Sequence, residues 1–348
     1  MRGLRKYLTP FAPDQSGASS VIYELGGITV ICDAGGCAGN VCGFDEPRWF
    51  TMPGAIFSAG LRDMDAILGR DDQLVGKLAS AADKLDAKFA AIIGTPVPSV
   101  IATDYRALTR MAERKVDIPV VAIDTNGMEL YDRGAKKAYL EMFKKFATEP
   151  LPVQTGRVGV IGVNPLDVSR LDAPEVLGDL IKEKTGALEV WCYGMGSGLD
   201  AFLNAPSVEK NIVVSASGLL AAKYLQEMFG TPYEVFNPLA DVYLSESGTD
   251  YSGKKILIVT GQVIGNSMRD YLRGKGAGEV TVASWFDLVK ELSKPEDVHL
   301  SEEDDFEELV MTGDFDILIG DPTMWKIVPE FEGKTISIND FAISGKLV

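Results

Sequence analysis

The chain has 348 residues, of which 46% are hydrophobic and 24% charged, and a formal net charge of -16. That length exceeds one ordinary core and calls for two or three domains, and the composition leaves burial in no doubt. An acidic chain with no run of Lys and Arg is poorly built to hold a phosphate backbone or an anionic bilayer, which excludes nucleic acid and membrane as partners.

The opening fifteen residues carry Pro10 and Pro13 and read as an extended lead-in, with none of the apolar core of a signal peptide. No apolar run reaches spanning length, so a cytoplasmic protein is expected. After a short apolar run at Val21 to Leu25 comes the most informative stretch, Ile28 to Phe50, ITVICDAGGCAGNVCGFDEPRWF. Ile28 to Ile31 reads as a buried strand, and Gly35, Gly36, Gly39 and Gly43 read as a loop at its end. Cys32, Cys37 and Cys42, three of the chain's four cysteines, are expected on that loop rather than inside an element. Helical patterning runs from Ala59 to Asp83, interrupted at Gly69 and Arg70. The strand Phe89 to Ile93, a helix from Asp104 to Lys115, the strand Pro119 to Ile123 and a helix from Asp132 to Phe146 complete a first α/β unit.

A second unit has strands at Val158 to Gly162, Ala187 to Cys192, Asn211 to Ser215 and Tyr233 to Phe236, with helices at Glu175 to Thr185 and Gly218 to Phe229. A third places strands at Lys255 to Val259, Glu279 to Ala283, Ile317 to Gly320 and Thr335 to Ile338, with helices at Ser267 to Gly274 and near Ser301 to Val310. Three successive groups of alternating strands and helices predict three parallel-sheet α/β domains, over residues 1–150, 151–250 and 251–348. Ligands in such sheets collect at the carboxyl ends of strands.

Thiolates converging on one point, with N–H groups from a glycine-rich backbone, are what an iron-sulfur cluster requires. Cys32, Cys37 and Cys42 are the candidate ligands, and the amides near Gly35, Gly36 and Gly39 the candidate donors to bridging sulfide. Buried structural thiols and a redox disulfide are the other two readings. The C-x4-C-x4-C spacing is not that of a zinc knuckle, and the chain's single histidine, His299, lies in a hydrophilic segment, which leaves no Ser-His pair to build. Cys192 reads as a lone buried thiol or a fourth ligand. The sequence Gly194-Met-Gly-Ser-Gly198 departs from the dinucleotide spacing and reads as a turn; Thr260, Gly261 and Gly265 lack a P-loop lysine. The acidic run Glu302 to Glu308 is expected at the exposed start of a helix. Asp45, Glu46 and Arg48 adjoin the cysteines, either as a buried ion pair closing the loop or as groups that deliver protons or contact a partner.

The order of these features resembles the nitrogenase component 1 type oxidoreductases. Ala34-Gly-Gly-Cys37 is similar to the family's glycine-rich cluster loop, and Asp63-Met-Asp-Ala-Ile-Leu-Gly69 with Leu74 to its acidic, apolar segment before a long helix. Similar too are Ile92 to Asp104, Ile118 to Gly127, Asn211 to Ser215, Phe229-Gly-Thr-Pro-Tyr233 and Gly253 to Val259. Pro96 stands where the family has the cysteine of a Thr-Cys pair, and Cys32 and Cys42 flank Cys37 instead. The resemblance implies three Rossmann-like domains with parallel sheets around a central cleft. It implies a cluster, most simply [4Fe-4S], on Cys32, Cys37 and Cys42, with a fourth ligand from a second subunit in a homodimer or a heterodimer with a related chain. As an oxidoreductase component, such a chain would accept electrons from an ATP-dependent iron-sulfur reductase of the nitrogenase iron-protein type and reduce a substrate in the cleft. The alternative is a scaffold or carrier that holds a cluster or tetrapyrrole-type cofactor without turnover.

Overall fold

Short runs of Ile, Val and Ala, apolar at nearly every position, form most of the strands of a molecule whose computed structural model describes residues 5–69, 71–245 and 247–347. Strands of this kind are covered on both faces and belong to parallel sheets. The first sheet holds β1 (Ile28–Ile31), β2 (Ala55–Ser58), β3 (Ala90–Ile93) and β4 (Val120–Ile123) in the order β2-β1-β3-β4. The second holds β5 (Gln154–Ile161), β6 (Glu189–Cys192), β7 (Val208–Val213) and β8 (Tyr233–Val235) in the order β6-β5-β7-β8. The third holds β9 (Ile256–Val259), β10 (Val280–Ser284), β11 (Val298–His299), β12 (Ile317–Gly320) and β13 (Lys334–Ser337) in the order β11-β10-β9-β12-β13. Every ladder between these strands is parallel, with Ile28 opposite Ala90, Gly159 opposite Asn211 and Ile256 opposite Val280.

Several elements differ from the sequence reading. Residues 5–13 are irregular, as the lead-in reading expects, but Asp14–Ile22, which takes in the last two of those fifteen residues, is an α-helix in which every residue is buried, and no helix was expected there. It packs on the helix Tyr131–Phe146 through two glycines: a methyl on Gly17 would lie 1.9 Å from the Tyr131 carbonyl oxygen, and one on Gly134 1.7 Å from that of Asp14. Small residues rather than an apolar stripe make this face, so helical periodicity had nothing to detect. The helical stretch expected from Ala59 to Asp83 begins only at Asp63; its break falls where expected, with the helices Asp63–Leu68 and Asp71–Ala82 separated at Gly69 with φ +62°, and Arg70 lies outside the described residues. The helix after β9 begins at Gln262, five residues before the expected Ser267.

Helix Tyr131–Phe146 joins the first two sheets in one core, packing Ala135, Ala138 and Met142 with Val121 and Ile123 on one side and Leu219 and Ala222 on the other. The third sheet has its own core, reached by the N-terminal Leu8 and Phe11. Glu303, at the start of helix Glu303–Gly313, accepts the N–H groups of Lys6, Tyr7 and Leu8 at 2.7–2.9 Å. The acidic run is thus a helix start, as expected, but one of its carboxylates clamps the chain's beginning. Among the described residues no helix is long and apolar enough to cross a membrane.

Candidate functional site

Cys32 extends β1 by one residue. Its N–H donates to the Ile93 carbonyl at 2.9 Å and its carbonyl accepts from the Thr95 hydroxyl at 2.6 Å, which leaves the side chain in the first sheet's core. Burial, with Asp33 and Asp71 nearby, pushes its thiol up to about 12. Asp33, next in sequence and fully buried, organises the turns that carry the other two cysteines. It accepts from Ser58 Oγ at 2.5 Å and from the Ala38 N–H at 2.8 Å, tying the end of β2 to the first turn of the helix Gly36–Asn40. Gly35 enters that helix at φ +121°, which side-chain-bearing residues rarely adopt.

The cysteines therefore do not all lie on irregular loop. Cys37 sits within the helix Gly36–Asn40 and Cys42 within a π-helical turn, Val41–Asp45; both are half-buried. Two glycines in a five-residue helix carry no helical signal, and the stabilising carboxylate comes from Asp33, outside it. Burial pushes both thiols up, Asp33 adding to the effect at Cys37 and Glu46 at Cys42.

The face these turns present is open. A methyl on Gly36, Gly39 or Gly43 would meet no atom within 4 Å, and Phe44 and Phe50 are 78% and 74% exposed. Beside them runs a groove of ≈ 790 Å³ with Phe11, Phe44, Phe50 and Phe341 in its walls. Among the described residues no three His, Cys, Asp or Glu side chains gather closely enough to hold a metal ion. This chain alone thus offers a metal cluster an incomplete donor set: two half-exposed thiols and one in the core. Cys192 is buried in the second sheet's core, away from the other three.

Asp45, Glu46 and Arg48 are held as structure. Asp45 accepts from Ser16 Oγ at 2.6 Å, and burial raises its carboxyl. Arg48 is buried and fully engaged. Nε and Nη2 donate to Glu46 at 2.7 and 2.6 Å, Nη1 to Glu24 at 2.8 Å and to the Gly194 carbonyl at 3.1 Å, and Nη2 also to the Ser20 carbonyl at 2.6 Å. Glu24 in turn accepts from the Gly196 N–H at 2.8 Å, so the turn after β6 is the anchor point of the cysteine segment. Neither Glu24 nor Asp33 stood out in the sequence, because an isolated acid carries no pattern until its partner is placed.

A second concentration of chemistry lies between the second and third sheets and the start of helix Tyr131–Phe146. The carboxyl ends of strands and the start of helix Tyr131–Phe146 enclose a cavity of ≈ 20 Å³, with Asp132, Asp167, Ser217, Gln262 and Asp340 among its walls. That is room for about one water. Asp167 accepts from Asn164 Nδ2 at 2.6 Å and Ser217 Oγ at 2.7 Å. Burial raises its carboxyl to about 6, and burial with the adjacent Asp321 raises that of Asp340 to about 7. Asp132 accepts the Asp287 N–H at 2.8 Å on one oxygen, and the other is buried without a partner.

Three comparisons bear on this arrangement. The family model for nitrogenase component 1 type oxidoreductases matches residues 29–245. Over 178 residues, 51% of this chain, the sequence is 26% identical to the nitrogenase iron-molybdenum cofactor biosynthesis protein NifE of Clostridium pasteurianum, and the match covers only 38% of that relative. Two solved structures, nitrogenase Cp1 at pH 6.5 and at pH 5, superpose with TM-scores of 0.72 and 0.68 at 12% identity; they cover 97% and 98% of this chain, and 87% and 85% of their own. At that identity the likeness speaks to the fold.

Proposed function

Because the chain belongs to the nitrogenase component 1 type oxidoreductase family, we propose that it is a cluster-handling component whose metal site is completed by a second chain, acting as a scaffold or carrier in cofactor assembly. The observation that carries this reading is the open glycine face. Gly36, Gly39 and Gly43 have space around them that nothing in this chain fills, beside two half-exposed thiols and the exposed rings of Phe44 and Phe50. A homodimer mate or a related chain laid on this face would cover the rings and bring further ligands to Cys37 and Cys42, while Cys32 serves the core. An iron-sulfur cluster there would supply exchangeable iron and sulfide, and the loop amides of Gly35, Gly36 and Gly39 would lie against it. The name of the relative, a cofactor biosynthesis protein, supports the same reading.

A second reading, reductive turnover with an ATP-dependent iron-protein partner, is favoured by the junction of the second and third sheets. Asp167 and Asp340, raised to about 6 and about 7, titrate close to neutral pH where strand ends converge. Against it stands the volume of that junction, which a substrate would have to enlarge. In this reading Asp45, Glu46 and Arg48 position the cysteine segment and do not deliver protons.

The test is iron and acid-labile sulfide in anaerobically purified protein, alone and after mixing with a related chain, followed by challenge with a chelator and an apo-acceptor. A scaffold gives iron that moves to the acceptor and is lost in Cys37→Ala and Cys42→Ala. Iron that resists the chelator and cycles with an iron protein and ATP replaces this reading with the reductase. Protein that stays iron-free after reconstitution in every combination sinks both.

A further inference from the structure

On the side of the first sheet away from β2, β4 pairs with β3 and, among the described residues, with no other strand. Two helices flank it on opposite faces. Helix Tyr105–Glu113 packs Leu108 and Ala112 on the face that carries Val120, and helix Tyr131–Phe146 packs Ala138 and Met142 on the face that carries Val121 and Ile123. Between them runs a groove of ≈ 990 Å³ that reaches Val120, Val121 and Ala122 on the free edge.

The walls carry an excess of cations over the carboxylates of Asp104, Asp124, Glu129 and Glu141, in a chain of net charge -16. Arg106 and Arg110 stand one turn apart on one helix; Arg133, Lys137, Lys144 and Lys145 line the other wall. Arg133 to Lys145 is a basic stretch in the sequence itself, but that it faces Arg106 and Arg110 across an open strand edge appears only once the two helices are placed. Among the described residues no carboxylate lies within ion-pair distance of Arg106 or Arg110, and both are exposed. Arg133, Lys137, Lys144 and Lys145 pair with Asp287, Glu129, Glu141 and Glu113 through partly exposed contacts, which are weak and exchangeable. Asp104, at the groove's end, is occupied by the N–H groups of Arg106 and Ala107.

The arrangement discriminates between ligands. A phosphate is gripped by cations that converge on one point. Here they are spread in two rows, and the longer, from Arg133 to Lys145, covers about 18 Å of helix, the length of roughly five residues of strand. Successive side chains of a strand point to opposite faces, and each face of this edge has its own cationic wall. An unpaired edge offers main-chain hydrogen bonds, the basis of recognition by strand addition. We propose that the β4 edge binds an acidic polypeptide segment in extended conformation, added as a fifth strand with carboxylates on both helical walls. This inference is independent of the cysteine segment and of the proposed function.

The test uses a fluorescein-labelled, glutamate-rich decapeptide, with fluorescence anisotropy at low and moderate salt. Binding is expected at low salt, weakened by roughly tenfold at 0.2 M salt as screening shortens. The double substitution Arg106→Glu and Arg110→Glu should cost at least roughly tenfold without changing the melting temperature, whereas Lys254→Glu on the third sheet should leave binding unchanged. A copy of the peptide N-methylated at alternate residues should lose most of its affinity. Equal binding of the N-methylated copy would reduce the contact to diffuse attraction and overturn strand addition. Displacement by tripolyphosphate or a single-stranded oligonucleotide at equal concentration would assign the groove to another class of ligand. No binding at low salt, or a self-association abolished by the same double substitution, would also overturn the proposal.

Discussion

Two sets of glycines in the first sheet's surroundings sit in opposite circumstances. At the crossing of helices Asp14–Ile22 and Tyr131–Phe146, methyls on Gly17 and Gly134 would lie 1.9 and 1.7 Å from backbone oxygens. In the cysteine segment, methyls on Gly36, Gly39 and Gly43 would meet nothing within 4 Å, and none of the three has a positive φ. The first set is explained by the chain's own packing. The second is not required by the chain's own packing, and under the proposed function its open space is taken up by a cluster or a partner. Glycine counts alone cannot separate these cases.

The contrast can be broken most severely at the helix crossing. Gly17→Ala or Gly134→Ala should each destabilise the protein by about 3 kcal/mol or more, beyond ordinary overpacking, because backbone rather than a side chain must move. Equilibrium urea unfolding measures this, and a loss below about 1 kcal/mol would remove the tight half of the comparison. Next is Arg48→Met, which leaves the buried Glu46 and the half-buried Glu24 without their cation and should cost about 3–5 kcal/mol. Because the same guanidinium fixes the cysteine segment, increased proteolysis between Gly35 and Phe50 should accompany that loss.

A third probe sharpens the comparison at another closed region, the junction of the sheets. Asp340, raised to about 7, binds a proton in the folded state that the unfolded chain, with an ordinary carboxylate, releases near pH 4. The stabilisation is therefore full below about pH 4 and is lost as pH rises through 7. Unfolding free energy should fall by roughly 2 kcal/mol between pH 5.5 and 7.5, and Asp340→Asn should flatten that slope; a slope unchanged in the variant would remove Asp340 as its source. The smallest effect belongs to the open face. Gly36→Ala and Gly39→Ala should leave stability unchanged or raise it by about 0.5 kcal/mol, yet lower metal retention or partner binding. Variants that keep both functions intact would strip the open glycines of their meaning.

The sequence made the sheets legible through uniformly apolar runs such as Ile28–Ile31 and Ile256–Val259, since burial on both faces leaves that mark. It missed Asp14–Ile22, whose face is Gly, Ala and Ser, and β2, whose residues are only half-buried or exposed. The cysteine stretch was visible as a concentration of residue types, and so was the neighbourhood of Glu46 and Arg48. What could not be read was which groups meet. Asp33 reaches Ala38 and Ser58, and Glu24 reaches Arg48 and Gly196, through contacts that exist only once β1, β2 and β6 are placed. The facing of Arg133 to Lys145 by Arg106 and Arg110 was hidden for the same reason.

The clamp of Glu303 on Lys6, Tyr7 and Leu8 joins residues 295–297 positions apart. During synthesis at about 5–20 residues per second, those amides wait on the order of tens of seconds for their carboxylate to be made. Residues 6–8 are thus fastened only after nearly all of the three sheets has been synthesised. A nascent chain stalled before Glu303, even with its first sheet formed, leaves Leu8 and Phe11 without the third-sheet core that buries them.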